Sequence, residues 1–196
     1  IHNIDTNKIT IKEMKTYIID AITIDTYITY QNGNLVEQFY KQQDIDLEEF
    51  KDYTLYKKLI TKNKPLLKKV ICSFKEFINY MNDDTTYIDH EYLWDIVSFK
   101  NEKLIKQGLN LVIVEVTDYD GTDDINLICP TNSYSSLFYS SNKPYLFLLK
   151  YNEYYEPIYS YTITKHSYEI KKLFNENESN VSQLGQVISN IKNLIN

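Results

Sequence analysis

Arginine is missing from this 196-residue chain: all 21 basic residues are lysine. Without a planar guanidinium, no side chain can clamp a phosphate or carboxylate through two parallel hydrogen bonds. Together with a net charge of −6, that absence argues against a nucleic-acid partner. Cysteine occurs twice, at Cys72 and Cys129, too few for a disulfide framework, so a reducing compartment is the expectation. No run approaches the roughly 18 apolar residues of a membrane span. Glycine and proline occur four times each. There is no P-loop, no dinucleotide fingerprint and no Gly-X-Ser-X-Gly elbow. The three histidines, His2, His90 and His166, form no pair with metal-ligand spacing, so neither zinc nor another cofactor is expected. Ile1 rather than Met stands first, with no signal peptide after it, so the chain reads as a piece of a longer protein.

What is abundant is tyrosine and asparagine, with 19 of each, while alanine appears only as Ala21. Residues with AT-rich codons are enriched, which is a property of the source genome more than of the function. Hydrophobic residues make up 43% of the chain, enough to predict one folded domain over residues 1–196.

The predicted order is helices first, then a small, mostly antiparallel sheet, then a terminal helix: an α+β domain. Thr10-Ile11-Lys12-Glu13 fits a capping box, with Ile11, Met14, Tyr17 and Ile18 on one face of the helix it starts. Thr23 to Tyr30 reads as strand or helix end, and Asn32-Gly33-Asn34 as a turn before a short helix over 35–41. Residues 46–60 read as helical. Pro65 opens a helix whose broad apolar face runs from Leu66 to Met81, and Asp89 reads as the N-cap of a helix over 89–99 carrying Trp94. Trp94 is expected to be buried beside the 65–82 stripe. Leu109 to Val116 is a near-continuous Leu/Val/Ile run, the pattern of a strand buried on both faces. Strands are also predicted over 125–129, 145–149 and 158–163, and an amphipathic helix over 181–195.

Few residues suggest chemistry. Cys72 lies mid-helix among apolar neighbours, far from the cationic or helix-terminal setting that makes a thiol reactive, and reads as a core cysteine. Cys129 ends a strand before Pro130; a buried strand cysteine is the reading, with exposure in the following loop as the alternative. His90 follows Asp89 at a helix start, where the dipole disfavours an imidazolium; a structural hydrogen bond or an exposed ring is the reading. His166 reads as an exposed loop residue. The acidic stretch 118–124 fails the calcium-loop spacing and reads as a solvated turn. Tyr151, Tyr154, Tyr155, Tyr159 and Tyr161 form a cluster that fits either a binding surface or ordinary sheet packing.

The order of several blocks resembles the ovarian-tumour (OTU) family of papain-like cysteine proteases. Gly33-Asn34-Leu35 is similar to the family's Gly-Asn-Cys turn. Residues 77–84 and 90–97 are similar to its middle helices, 111–116 to its buried strand, and Tyr154-Tyr155-Glu156-Pro157-Ile158 to its His-Tyr strand. The resemblance implies a papain-like fold over about residues 30–160. It also puts Leu35 where the family has its nucleophilic cysteine and Tyr154 where it has its histidine. A thiolate–imidazole pair is the core of such catalysis, so the family's activity does not carry over to these positions.

Three further blocks resemble long chains of large nucleocytoplasmic DNA viruses of the mimivirus-like group: residues 88–95, 108–111 and 128–132. That likeness implies a viral origin, with the host cytoplasm or the virion as location. The expectation is a catalytically inactive OTU-like domain that binds protein or serves as a scaffold, with ubiquitin or other viral proteins as partners. The alternatives are an active cysteine peptidase or deubiquitinase with a rearranged site built from Cys129 and His90 or His166, and a subunit of viral transcription or packaging machinery.

Overall fold

A computed structural model describes residues 9–117, 125–128, 139–140, 142–163 and 168–175. The fold is α+β, and the chain divides into two compact units, Ile1–Ile96 with Asn101–Lys106, and Val97–Lys100 with Gln107–Asn196. The helix expected over 181–195 and the acidic stretch 118–124 lie outside the described residues.

The first unit is helical: α1 Ile11–Asp20, α2 Ile24–Tyr27, α3 Asn34–Gln38, α4 Thr54–Leu59, α5 Lys64–Asn82 and the start of α6 His90–Ser98. The Thr10–Glu13 capping box starts α1: the Thr10 hydroxyl accepts from the Glu13 amide, and the Glu13 carboxylate accepts from the Thr10 amide at 2.8 Å. Of the four residues expected on one apolar face of α1, only Ile18 packs against the core. Ile11 is 80% exposed, and Met14 and Tyr17 also face solvent, whereas Lys15 is only 7% exposed. Lys15 Nζ donates to the carbonyls of Asp83 at 2.5 Å and Thr86 at 2.9 Å, just past the C-terminus of α5. A cation is favoured where helix carbonyls run out of partners. Lys15 therefore sets the rotation, and Ile18, Ile19 and Ile22, at i+3, i+4 and i+7 from it, turn toward the core.

Helix α5 is the centre of that core, with Leu67, Val70, Ile71, Phe77 and Met81 buried. The Asn63 side chain caps its first turn and Pro65 occupies a position where no amide is needed. Tyr27 of α2 is wholly buried between Phe74 and Phe77, at ring separations of 5.4 and 5.2 Å. Its hydroxyl meets Ser73 Oγ at 2.6 Å and donates to the Leu35 carbonyl at 2.9 Å, so the polar tip is satisfied inside the apolar core. The segment 46–60, expected as one helix, is a 3-10 turn Leu47–Phe50 followed by α4. The break is set from a distance: both Asp25 carboxylate oxygens accept amides at the α4 start, Thr54 at 3.0 Å and Leu55 at 2.7 Å.

The second unit holds β1 Asn110–Val116, β2 Ile125–Ile128, β3 Tyr145–Tyr151, β4 Tyr154–Pro157, β5 Ser160–Ile163 and β6 Tyr168–Lys171. A four-stranded sheet has the order β2-β1-β3-β4, and β5 and β6 form a separate two-stranded ribbon. The predicted central strand is central, flanked by the predicted 145–149 strand. That pair runs parallel, while its flanking pairs are antiparallel, so the sheet is mixed. The parallel partners are the two most apolar runs, as burial on both faces requires. Val112, Tyr145, Phe147 and Phe174 form the core of this unit, and Glu115 and Lys150, opposite each other in register, form an ion pair at 2.5 Å. Asn110 is buried and fully bonded: its Nδ2 donates to the Ser140 and Lys143 carbonyls at 2.7 and 3.0 Å, and its Oδ1 accepts the Ser140 amide at 2.9 Å. Gly108 launches β1 with φ +75°; a β-carbon there would stand 2.3 Å from the Ser98 carbonyl oxygen, so only glycine fits.

Candidate functional site

The residues the family likeness singles out lie in different units. Leu35, in α3 of the first unit, is fully buried, and its carbonyl accepts from the Tyr27 hydroxyl, which in turn bonds Ser73 Oγ. It is a core residue held at its backbone. Tyr154 opens β4 of the second unit and is exposed. Cys129 and His166, the pair considered for a rearranged peptidase site, lie outside the described residues, as does His2.

His90 begins α6. Its Nδ1 is in contact with the Asp89 carboxylate, and its ring lies edge-on to Trp94 at 6.1 Å. The Asp89 carbonyl accepts the Tyr92 amide at 3.2 Å, as the predicted cap residue would. Trp94 is buried, and its indole nitrogen has no hydrogen-bond partner among the described residues. One turn of helix away from Glu91, Asp95 grips the segment before α3: its carboxylate accepts the Gln31 amide at 2.6 Å, while Gln31 Nε2 donates to the Glu91 carbonyl at 3.1 Å. Gln31, Asn32 and Gly33 are all left-handed, with φ of 46°, 59° and 85°. Gln31 is thus tied to α6 by two hydrogen bonds, one buried and one part-buried. Cys72 is buried in α5 and its Sγ donates to the Gln43 carbonyl at 3.7 Å. Among the described residues no group of three or more His, Cys, Asp and Glu could hold a metal ion, and no helix is long and apolar enough to cross a membrane.

Among the described residues, the β5–β6 ribbon carries a contiguous exposed apolar face. Side chains alternate faces along a strand. In the observed register Tyr161 lies opposite Ile170 and Ile163 opposite Tyr168, all four on one face. They are 64%, 58%, 67% and 73% exposed respectively. The other face carries Ser160 opposite Lys171 and Thr162 opposite Glu169. The ribbon is therefore amphipathic, with its apolar face uncovered by the described residues. Isolated exposed apolar side chains are ordinary on any surface, but a contiguous patch marks an interaction site.

Sequence reading found one of these four residues. The tyrosine cluster 151–161 includes Tyr161, but the structure spreads the other members over β3, β4 and the link to β5. Ile163, Tyr168 and Ile170 were missed as site residues. The signal was available in Tyr161-Thr162-Ile163 and Tyr168-Glu169-Ile170, two short apolar–polar–apolar triplets flanking 164–167. Compared with protein-family models, curated proteins and solved structures, the chain matches none.

Proposed function

We propose that this chain is a non-catalytic protein-binding module, an OTU-like domain of a large viral protein that has lost its nucleophile and works by docking. The family and the viral origin rest on the residue blocks set out above. The observation that supports the binding role is the bare apolar face of Tyr161, Ile163, Tyr168 and Ile170. Tyrosine suits such a role, since it offers a large rigid contact area at low entropic cost and a hydroxyl that tolerates water. The buried, hydroxyl-capped Leu35 at the nucleophile position favours binding over catalysis.

The test has two arms. In the first, the chain is incubated with ubiquitin carrying a thiol-reactive C-terminus; no covalent adduct is expected. An adduct abolished by Cys129→Ala would replace the binding role with a cysteine peptidase. In the second, proteins captured by the chain are compared with those captured by an Ile163→Asp/Ile170→Asp variant. Partners retained equally by both would remove the ribbon from the proposal.

A further inference from the structure

We infer that the partner of the ribbon's apolar face is the same face of a second copy of this chain. The inference rests on the binding role proposed above and names its occupant.

The argument comes from the register. Each ribbon strand carries tyrosine first and isoleucine second on the apolar face: Tyr161 and Ile163 on β5, Tyr168 and Ile170 on β6. Because the strands are antiparallel, tyrosines occupy one diagonal of the four-residue face and isoleucines the other. The face maps onto itself by a half-turn about its normal. Homodimers form by two-fold axes, across which each surface meets its own image. When this face is turned over by a half-turn about the strand direction, Tyr161 falls on Ile170 of the other copy and Tyr168 on Ile163. When it is turned about the perpendicular in-plane axis, Tyr161 falls on Ile163 and Tyr168 on Ile170. In either case all four contacts place a tyrosine over an isoleucine, with no ring forced onto a ring and no isoleucine left over a gap. Sheets packed face to face cross at about 30°. The four residues sit only about 4 Å from the centre of the face, so that rotation moves each by about 2 Å and preserves the pairing.

Within the two strands, the charged residues Lys171 and Glu169 are on the far face, so the four paired positions bring no ion into the contact. The size sets the strength. Four side chains about two-thirds exposed offer roughly 500 Å² per copy, or about 1,000 Å² in all, the low end for a specific interface. The association is therefore expected to be weak and concentration-dependent.

Sedimentation velocity on the full chain from about 10 µM to about 1 mM, wide enough to reveal a weak association, tests this. The weight-average sedimentation coefficient should rise with concentration. Ile163→Asp and Ile170→Asp should each weaken association at least tenfold, because one substitution buries two carboxylates in a symmetric dimer. Thr162→Asp, on the polar face, should leave association unchanged. If an aspartate variant loses its helical circular dichroism, the wild-type chain decides: a mixed-label sample should show intermolecular NOEs from tyrosine rings to isoleucine methyls. A wild-type chain that stays monomeric throughout, or variants that dimerise as well as the wild type, would overturn the self-pairing. A monomeric chain that still captures another protein through Ile163 and Ile170 would leave the binding role standing without it. A chain that does neither would lose both.

Discussion

The Gln31 amide donates to the Asp95 carboxylate at 2.6 Å, across 64 residues of sequence and inside the protein. Gln31 has φ +46° and its neighbour Asn32 φ +59°, conformations that cost non-glycine residues on the order of 1 kcal/mol each. The carboxylate holds the chain in that shape by satisfying an amide that the turn leaves without a backbone partner. Asp95→Ala should destabilise the first unit by about 1–3 kcal/mol, the cost of leaving such a donor buried and unmet. Chemical denaturation with an unchanged slope and a lowered midpoint is the expected result; an unchanged midpoint refutes the role.

Lys15 allows a sharper test of how the first helix is oriented. Lys15→Met keeps the stem but removes the donor, leaving the Asp83 and Thr86 carbonyls short of a partner. A loss of about 1–3 kcal/mol is expected. Ile11→Ser, on the exposed stripe, should stay within about 0.5 kcal/mol. The opposite ranking would mean that the apolar stripe faces inward after all.

The same pair shows how far the sequence could be read. The elements were legible wherever an apolar period was long or a cap was local: the capping box at Thr10, the α5 face, the β1 run. The rotation of α1 was not, because a lysine whose ammonium finds carbonyls 68 and 71 residues away leaves no mark on hydropathy. Likewise Asp25 is an ordinary aspartate until its two oxygens meet α4, so the break between Phe50 and Thr54 could not be foreseen. At the ribbon the alternation was visible, but which face would be bare depends on packing, and the tyrosines alone could not decide it.

Two core tyrosines predict the response to alkali. Burial pushes Tyr27 up to about 12, partly opposed by its bond to Ser73. Burial also pushes Tyr30 up to about 12, with the Asp95 charge adding to it and the Thr26 bond opposing. The unfolded chain loses these protons near pH 10 and the folded chain near pH 12, so the folded state holds more protons between those values. The stabilisation is complete below pH 10 and is lost as pH rises toward 12, by about 2–3 kcal/mol per tyrosine. Burial pulls Lys143 down, which works in the opposite direction over a window ending at its ordinary value of 10.5. Urea midpoints measured from pH 9 to 12 should fall, and Tyr30→Phe should flatten the decline. A flat wild-type profile would contradict the burial of both rings.

Cys72 should be chemically silent in the folded chain, since its sulfur is enclosed in α5 against Gln43. In a Cys129→Ser background, iodoacetamide should add no mass under native conditions and one adduct in denaturant. Rapid labelling of the native protein would place the thiol at the surface.

The two hydrogen bonds from Asp25 to the start of α4 also bear on how the first unit comes apart. A six-residue helix falls well short of the length at which helices hold in water by themselves. With its capping carboxylate 29 and 30 residues upstream, α4 is weakened whenever α2 undocks, and α2 has only four residues of its own. Neither helix is an independent piece. Each loses support when the other goes, so protection from amide exchange in the two should be lost together, in one cooperative event.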